Sequence, residues 1–88
     1  MDEVRKNLAE VFELPKDVML SLPKITMIGN LQIHIENHKE IIEYSSNLIR
    51  ILAKNKKIVI QGEDLTIKNI VVNEINIIGK IEEIQFVD

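Results

Sequence analysis

From Ile25 to the C-terminus, apolar and polar residues alternate with a period of two. The runs "ITMI", "LQIHIE", "IIEY", "LIRILA", "KIVIQ", "LTIKNI", "EINII" and "IEEIQFV" are rich in β-branched residues. They are separated by Gly-Asn, Asn-His-Lys, Ser-Ser-Asn, Lys-Asn-Lys, Gly-Glu-Asp, Val-Asn and Gly-Lys. Successive side chains of a strand point to opposite faces, so this grammar predicts about eight short strands and an all-β domain over residues 25–88. In "LQIHIE", Leu31, Ile33 and Ile35 fall on the inner face and Gln32, His34 and Glu36 on the outer one. All 17 isoleucines lie at or after Ile25, so the core of this domain is aliphatic.

The runs also repeat. Ile25-Thr-Met-Ile-Gly29, Ile58-Val-Ile-Gln-Gly62 and Ile75-Asn-Ile-Ile-Gly79 are one five-residue phrase, each followed by a second alternating strand, and Ile42-Glu-Tyr-Ser-Ser46 fills the remaining slot. The unit of strand, tight turn and strand is about 17 residues long and occurs four times. Four β-hairpins would make an antiparallel meander closing as a sandwich or barrel, with Gly29, Gly62 and Gly79 as turn glycines supplying positive φ. One coil of a small β-solenoid per unit is the alternative. The linker residues are hairpin-turn types at hairpin spacing, which favours the meander.

The first 24 residues follow another rule. Val4, Leu8, Val11 and Phe12 fall at i, i+4, i+7 and i+8, one face of an amphipathic helix over residues 1–13, with Asp2 as N-cap and Pro15 as stop. Residues 14–24 read as an extended connector, because Leu14 and Leu22 each precede a proline. A helix this short needs a docking surface, in this domain, in a second copy or in another protein.

Composition narrows the function classes. With 88 residues the chain is one small domain, and its lack of cysteine excludes disulfides and cysteine-based zinc sites. Core burial and self-association are left to stabilise it. A net charge of −3 provides no basic surface for nucleic acid. No apolar run approaches the roughly 20 residues of a membrane-spanning helix, and the acidic N-terminus is unlike a signal peptide, so a cytoplasmic protein without a direct span is expected.

Candidate chemistry is sparse. His34-x-Glu36-x-His38 offers metal-ligand types, but i and i+2 on a strand stand roughly 7 Å apart and Asn37-His38 reads as a turn, so a polar outer row is favoured and no metal site is assigned. Ser21, Ser45 and Ser46 lie in no nucleophile elbow, and the three glycines are too dispersed to cradle a phosphate. Glu63-Asp64 and Glu82-Glu83 read as solvated edge residues. Arg50, between Ile49 and Ile51, is expected to pair with Glu36 or Glu43 across the sheet. Neither a catalytic residue nor a cofactor is assigned.

The order of these phrases carries more than their composition. Pro23-x-Ile25-Thr26-x-Ile28-Gly29, Ile35-Glu36-Asn37-His38 and Glu74-Ile75-x-Ile77-x-Gly79-x-Ile81 resemble the YabP/YqfC family of bacterial sporulation proteins, in particular its YqfC branch, over about Leu14 to Phe86. Lys39-Glu40 departs from that pattern, where relatives often carry a glycine. The resemblance implies a non-enzymatic protein of spore development, made in the mother cell and placed in its cytoplasm, at the forespore membrane or in the spore coat. It also implies a membrane-bound sporulation protein as a partner.

Three functions are therefore carried forward. The first is a homodimeric or larger self-associating interaction module, with Val4, Leu8, Val11, Phe12, Glu36, Asn37, His38 and Arg50 as candidate interaction residues. The second is a polymer-forming solenoid scaffold. The third, least favoured, is a metal-dependent enzyme or regulator using His34, Glu36 and His38.

Overall fold

The computed structural model describes residues 21–88. The expected helix over residues 1–13, with Val4, Leu8, Val11 and Phe12, lies outside the described residues. So does most of the connector.

The described elements are six strands: β1 (Lys24–Ile28), β2 (Gln32–Glu36), β3 (Glu40–Tyr44), β4 (Leu48–Ala53), β5 (Lys56–Val71) and β6 (Glu74–Val87). They form one sheet in the order β1-β2-β6-β5-β4-β3, and every pairing is antiparallel. The parallel stacking of a solenoid is therefore ruled out. The sheet is open, with β1 and β3 at its ends, rather than a closed barrel.

Six strands replace the expected eight because two of the predicted turns are not turns. Gly62 and Gly79 lie inside β5 and β6, where "KIVIQ" runs on into "LTIKNI" and "EINII" into "IEEIQFV". Of the three expected turn glycines, Gly29 alone occupies a turn, between β1 and β2, with φ of +52°. The other two mark a bend in the long β5–β6 ribbon. A straight strand of 16 residues would run about 53 Å, yet the longest dimension of the molecule is 41 Å. Register slips at Gln61/Gly62 and Glu63/Thr66 place β-bulges at the bend, and Asp64 adopts a left-handed φ of 53° there. The crossing of the two strands is tight enough to require glycine: a Cβ on Gly62 would stand 2.1 Å from the Lys80 carbonyl oxygen, and one on Gly79 2.6 Å from that of Asp64.

On either side of the bend the ribbon recruits different partners. Its Glu74–Ile78 segment pairs with β2, whereas Lys56–Gln61 pairs with β4. Isoleucines face each other along rows that cross the sheet: Ile25, Ile35 and Ile75; Ile33, Ile77 and Ile67; Ile41, Ile51 and Ile58; Ile49, Ile60 and Ile84. Branched side chains in such cross-strand pairs stabilise a pleated surface, which accounts for the preference for isoleucine over leucine here. Residues from both sides of the bend meet in one buried cluster that includes Ile33, Ile35, Ile49, Ile51, Ile58, Ile60, Leu65, Ile75, Ile77 and Ile81.

The link Asn37–Lys39 requires the sheet to coil. It joins β2 to β3, which are four strand spacings apart in the sheet, about 19 Å if flat, while the chain from Glu36 to Glu40 reaches at most about 14 Å. Hydrogen bonds pin the link at both ends: the Asn37 amide donates to Asn73 O (2.7 Å) and the Lys39 amide to Leu52 O (2.7 Å). Asn37 takes φ of 66°, a left-handed geometry that asparagine tolerates.

The β1–β2 and β3–β4 turns dock on the bend in matching ways. Gly79 and Ile81 amides donate to Leu31 O (3.1 Å) and Asn30 O (2.7 Å) of the β1–β2 turn. Gly62 and Leu65 amides donate to Asn47 O (3.2 Å) and Ser46 O (2.7 Å) of the β3–β4 turn. The bulges leave these amides without a ladder partner, and each turn supplies the missing acceptors. The sequence repeat thus survives as an internal correspondence, with two units carrying true turns and two carrying the bend.

Candidate functional site

The outer face of β2 and its neighbours gathers most of the polar chemistry. Alternation places His34 and Glu36 outward, opposite Ile33 and Ile35 of the core. The register of β2 against β6 then sets Asn76 directly across from His34 and Glu74 across from Glu36. On the other flank, β1 sets Thr26 beside His34 and Lys24 beside Glu36.

His34 is held through both ring nitrogens. Nδ1–H donates to Asn76 Oδ1 at 2.6 Å, and Nε2 stands 3.2 Å from Glu74 Oε1. The Asn76 hydrogen bond raises the imidazole's pKa from its ordinary value of 6.5 against a lowering by desolvation, with Glu74 and Glu36 adding to the rise. Ligating atoms of His34, Glu36 and Glu74 all lie within 4.8 Å of one another. An imidazole and two carboxylates are donor types that hold a divalent cation.

His38 does not join them. It sits in the Asn37–Lys39 link, only 7% exposed, and its Nδ1 is buried with no hydrogen-bond partner among the described residues. Asn37 is occupied in holding the link, its Nδ2 donating to Leu22 O at 3.1 Å as well as its amide to Asn73. The linear His34-Glu36-His38 row is therefore replaced by a group in which Glu74, from β6, takes the third place. Glu36 also meets Lys24 at 3.8 Å.

Arg50 lies across the bend, on β4, and pairs with Glu43 at 3.7 Å, one of its two expected partners. Glu74 and Asn76 carried no role in the sequence reading. Their signal was the alternation itself, which sends both to the face opposite Ile75 and Ile77. What was missing is the β2–β6 pairing, made between segments 40 residues or more apart.

Along the free edges exposed apolar side chains stand among charged ones. Met27, Ile28 and Leu31 are exposed at β1 and its turn, Ile70, Val71 and Val72 at the end of β5, and Phe86 and Val87 at the end of β6. Among the described residues, no helix is long and apolar enough to cross a membrane.

This coiled sheet, with its bent ribbon and polar outer row, belongs to the YabP family, whose model matches residues 21–88. A relative from Bacillus subtilis (strain 168), the uncharacterized protein YqfC, is 40% identical over 81 residues, covering 92% of this chain and 87% of that protein. No solved structure matches the chain.

Proposed function

We propose that this chain is a non-enzymatic, self-associating interaction module of spore development. It acts in the mother cell, in the cytoplasm, at the forespore membrane or in the spore coat, and binds a membrane-bound sporulation protein. The observation that carries this reading is a set of exposed apolar side chains at the β1 edge and at the tip of the β5–β6 hairpin. Ile28 is 62%, Ile70 65% and Val72 88% exposed, on a sheet whose end strands have unpaired backbone groups. Such edges are templates for another strand, and natural proteins ordinarily cover or charge them. Family membership supports the setting in sporulation.

Sedimentation velocity on the full chain tests self-association. A dimer or larger species at tens of micromolar is expected, and a strict monomer would overturn it. Affinity capture from sporulating cells, with and without residues 1–13, tests the partner and the N-terminal segment together. Loss of a membrane protein from the captured set on truncation is the expected result.

A further inference from the structure

We propose that His34, Glu36 and Glu74 form a binding site for a divalent transition-metal ion of the zinc type. The three side chains project from one face of two paired strands, and their ligating atoms already lie within 4.8 Å of one another. Donors around a tetrahedral ion at about 2.1 Å stand about 3.4 Å apart. Side-chain rotation of little more than an ångström closes the group, with water completing the coordination.

Two features outside the three ligands point the same way. Asn76 accepts the Nδ1–H of His34 at 2.6 Å, so the ring is oriented with Nε2 toward Glu74, the carbonyl support that ligating histidines ordinarily have. Glu36 and Glu74 are also directly opposed in register, a like-charge pair that destabilises a sheet; protonated His34 offsets Glu74 in part, and a divalent ion would offset both carboxylates. Lys24 answers Glu36 alone, at 3.8 Å with its side chain 74% exposed.

The other half of the sheet shows what a built-in cation looks like. The outer row that holds Thr26, His34 and Asn76 corresponds, through the repeat, to the row of Glu43, Arg50 and Val59. There Arg50 fills the central place and neutralises Glu43. At the matching place stands His34, a metal-ligand type, with two carboxylates instead of one. One imidazole with two carboxylates favours zinc, cobalt or nickel over magnesium and calcium, which prefer oxygen alone.

The test is titration of the full chain with zinc chloride, followed by calorimetry and by long-range imidazole nitrogen NMR. One equivalent should bind, shifting His34 Nε2 and leaving His38 in place. His34→Gln and Glu74→Gln should each weaken binding at least tenfold. Asn76→Ala, which touches no metal, should weaken it by about tenfold through loss of ring orientation, with circular dichroism confirming an unchanged sheet for each variant. Unaltered affinity in His34→Gln and Glu74→Gln, a response at His38 in place of His34, displacement of zinc by equimolar magnesium, or no binding at micromolar zinc would each overturn the proposal.

Discussion

The glycine at position 62 does something no other residue in the chain could do at that point. Its missing Cβ is the space occupied by the Lys80 carbonyl, 2.1 Å from where a methyl would stand, and both groups are backbone. Gly29 has the opposite character: positive φ, but nothing within 4 Å of an added Cβ. Gly29→Ala should therefore cost about 1 kcal/mol of conformational strain, whereas Gly62→Ala must displace a strand and should cost at least twice as much. Paired urea denaturations order the two, and equal losses would contradict the bend. His34 provides a second measurement at this scale. Its hydrogen bond to Asn76 raises its pKa, so this group contributes stability that is fully present below its unfolded value of 6.5 and lost as pH rises through the folded value. In chelator-treated protein, Asn76→Ala should move the His34 NMR titration midpoint downward. An unmoved midpoint would mean that the amide is not the main cause.

At the scale of elements, the β3 edge is tied to the far half of β5 by one hydroxyl. The Ile67 amide donates to the Tyr44 hydroxyl oxygen at 3.0 Å, closing an edge position that the ladder leaves open. Through the internal repeat, Tyr44 corresponds to Met27 and Ile67 to Ile84, and a methionine thioether is at most a weak acceptor for an amide. One edge is thus protected and its counterpart is not. Tyr44→Phe should cost about 1 kcal/mol and speed hydrogen exchange at Ile67 selectively; unchanged exchange there would sink the edge-cap role. Much of this level was legible in the chain. The alternation of "LQIHIE" and "LIRILA" gave the inward isoleucines, although Leu31, expected inside, is exposed in the β1–β2 turn, and Asn30, Ser45-Ser46 and Asn55 fell in turns. The two glycines at the bend were misread because a glycine after an alternating run is the same signal for a tight turn and for a bulge with close backbone approach. Only the partner strand distinguishes them. The outer polar site was half legible for a related reason: His34 and Glu36 share a strand, but Glu74 and Asn76 arrive through a long-range pairing that no local pattern encodes.

For the whole molecule, the open sheet poses the question of what covers its free strands. The β1–β2 turn is bonded to Gly79 and Ile81, so Ile28 and Leu31 stand at the start of the distal half of β6, whose end exposes Phe86 and Val87. This is the side without a tyrosine cap, and an uncapped apolar edge can be satisfied by a strand from a second copy. The opposite side carries the capped β5 edge and should tolerate charge better. Substituting Ile28→Lys together with Phe86→Lys should then shift the sedimentation profile toward monomer while leaving the far-ultraviolet dichroism intact, because both side chains lie outside the buried cluster. By contrast, Ile77→Val, which removes one methylene from the centre of that cluster, should cost about 0.5–1.5 kcal/mol without changing the intrinsic association of the folded chain. If the lysine pair leaves the oligomer unchanged while Val72→Lys dissociates it, the interface lies at the β5–β6 hairpin tip. The pairing edge would then be assigned to that side of the molecule.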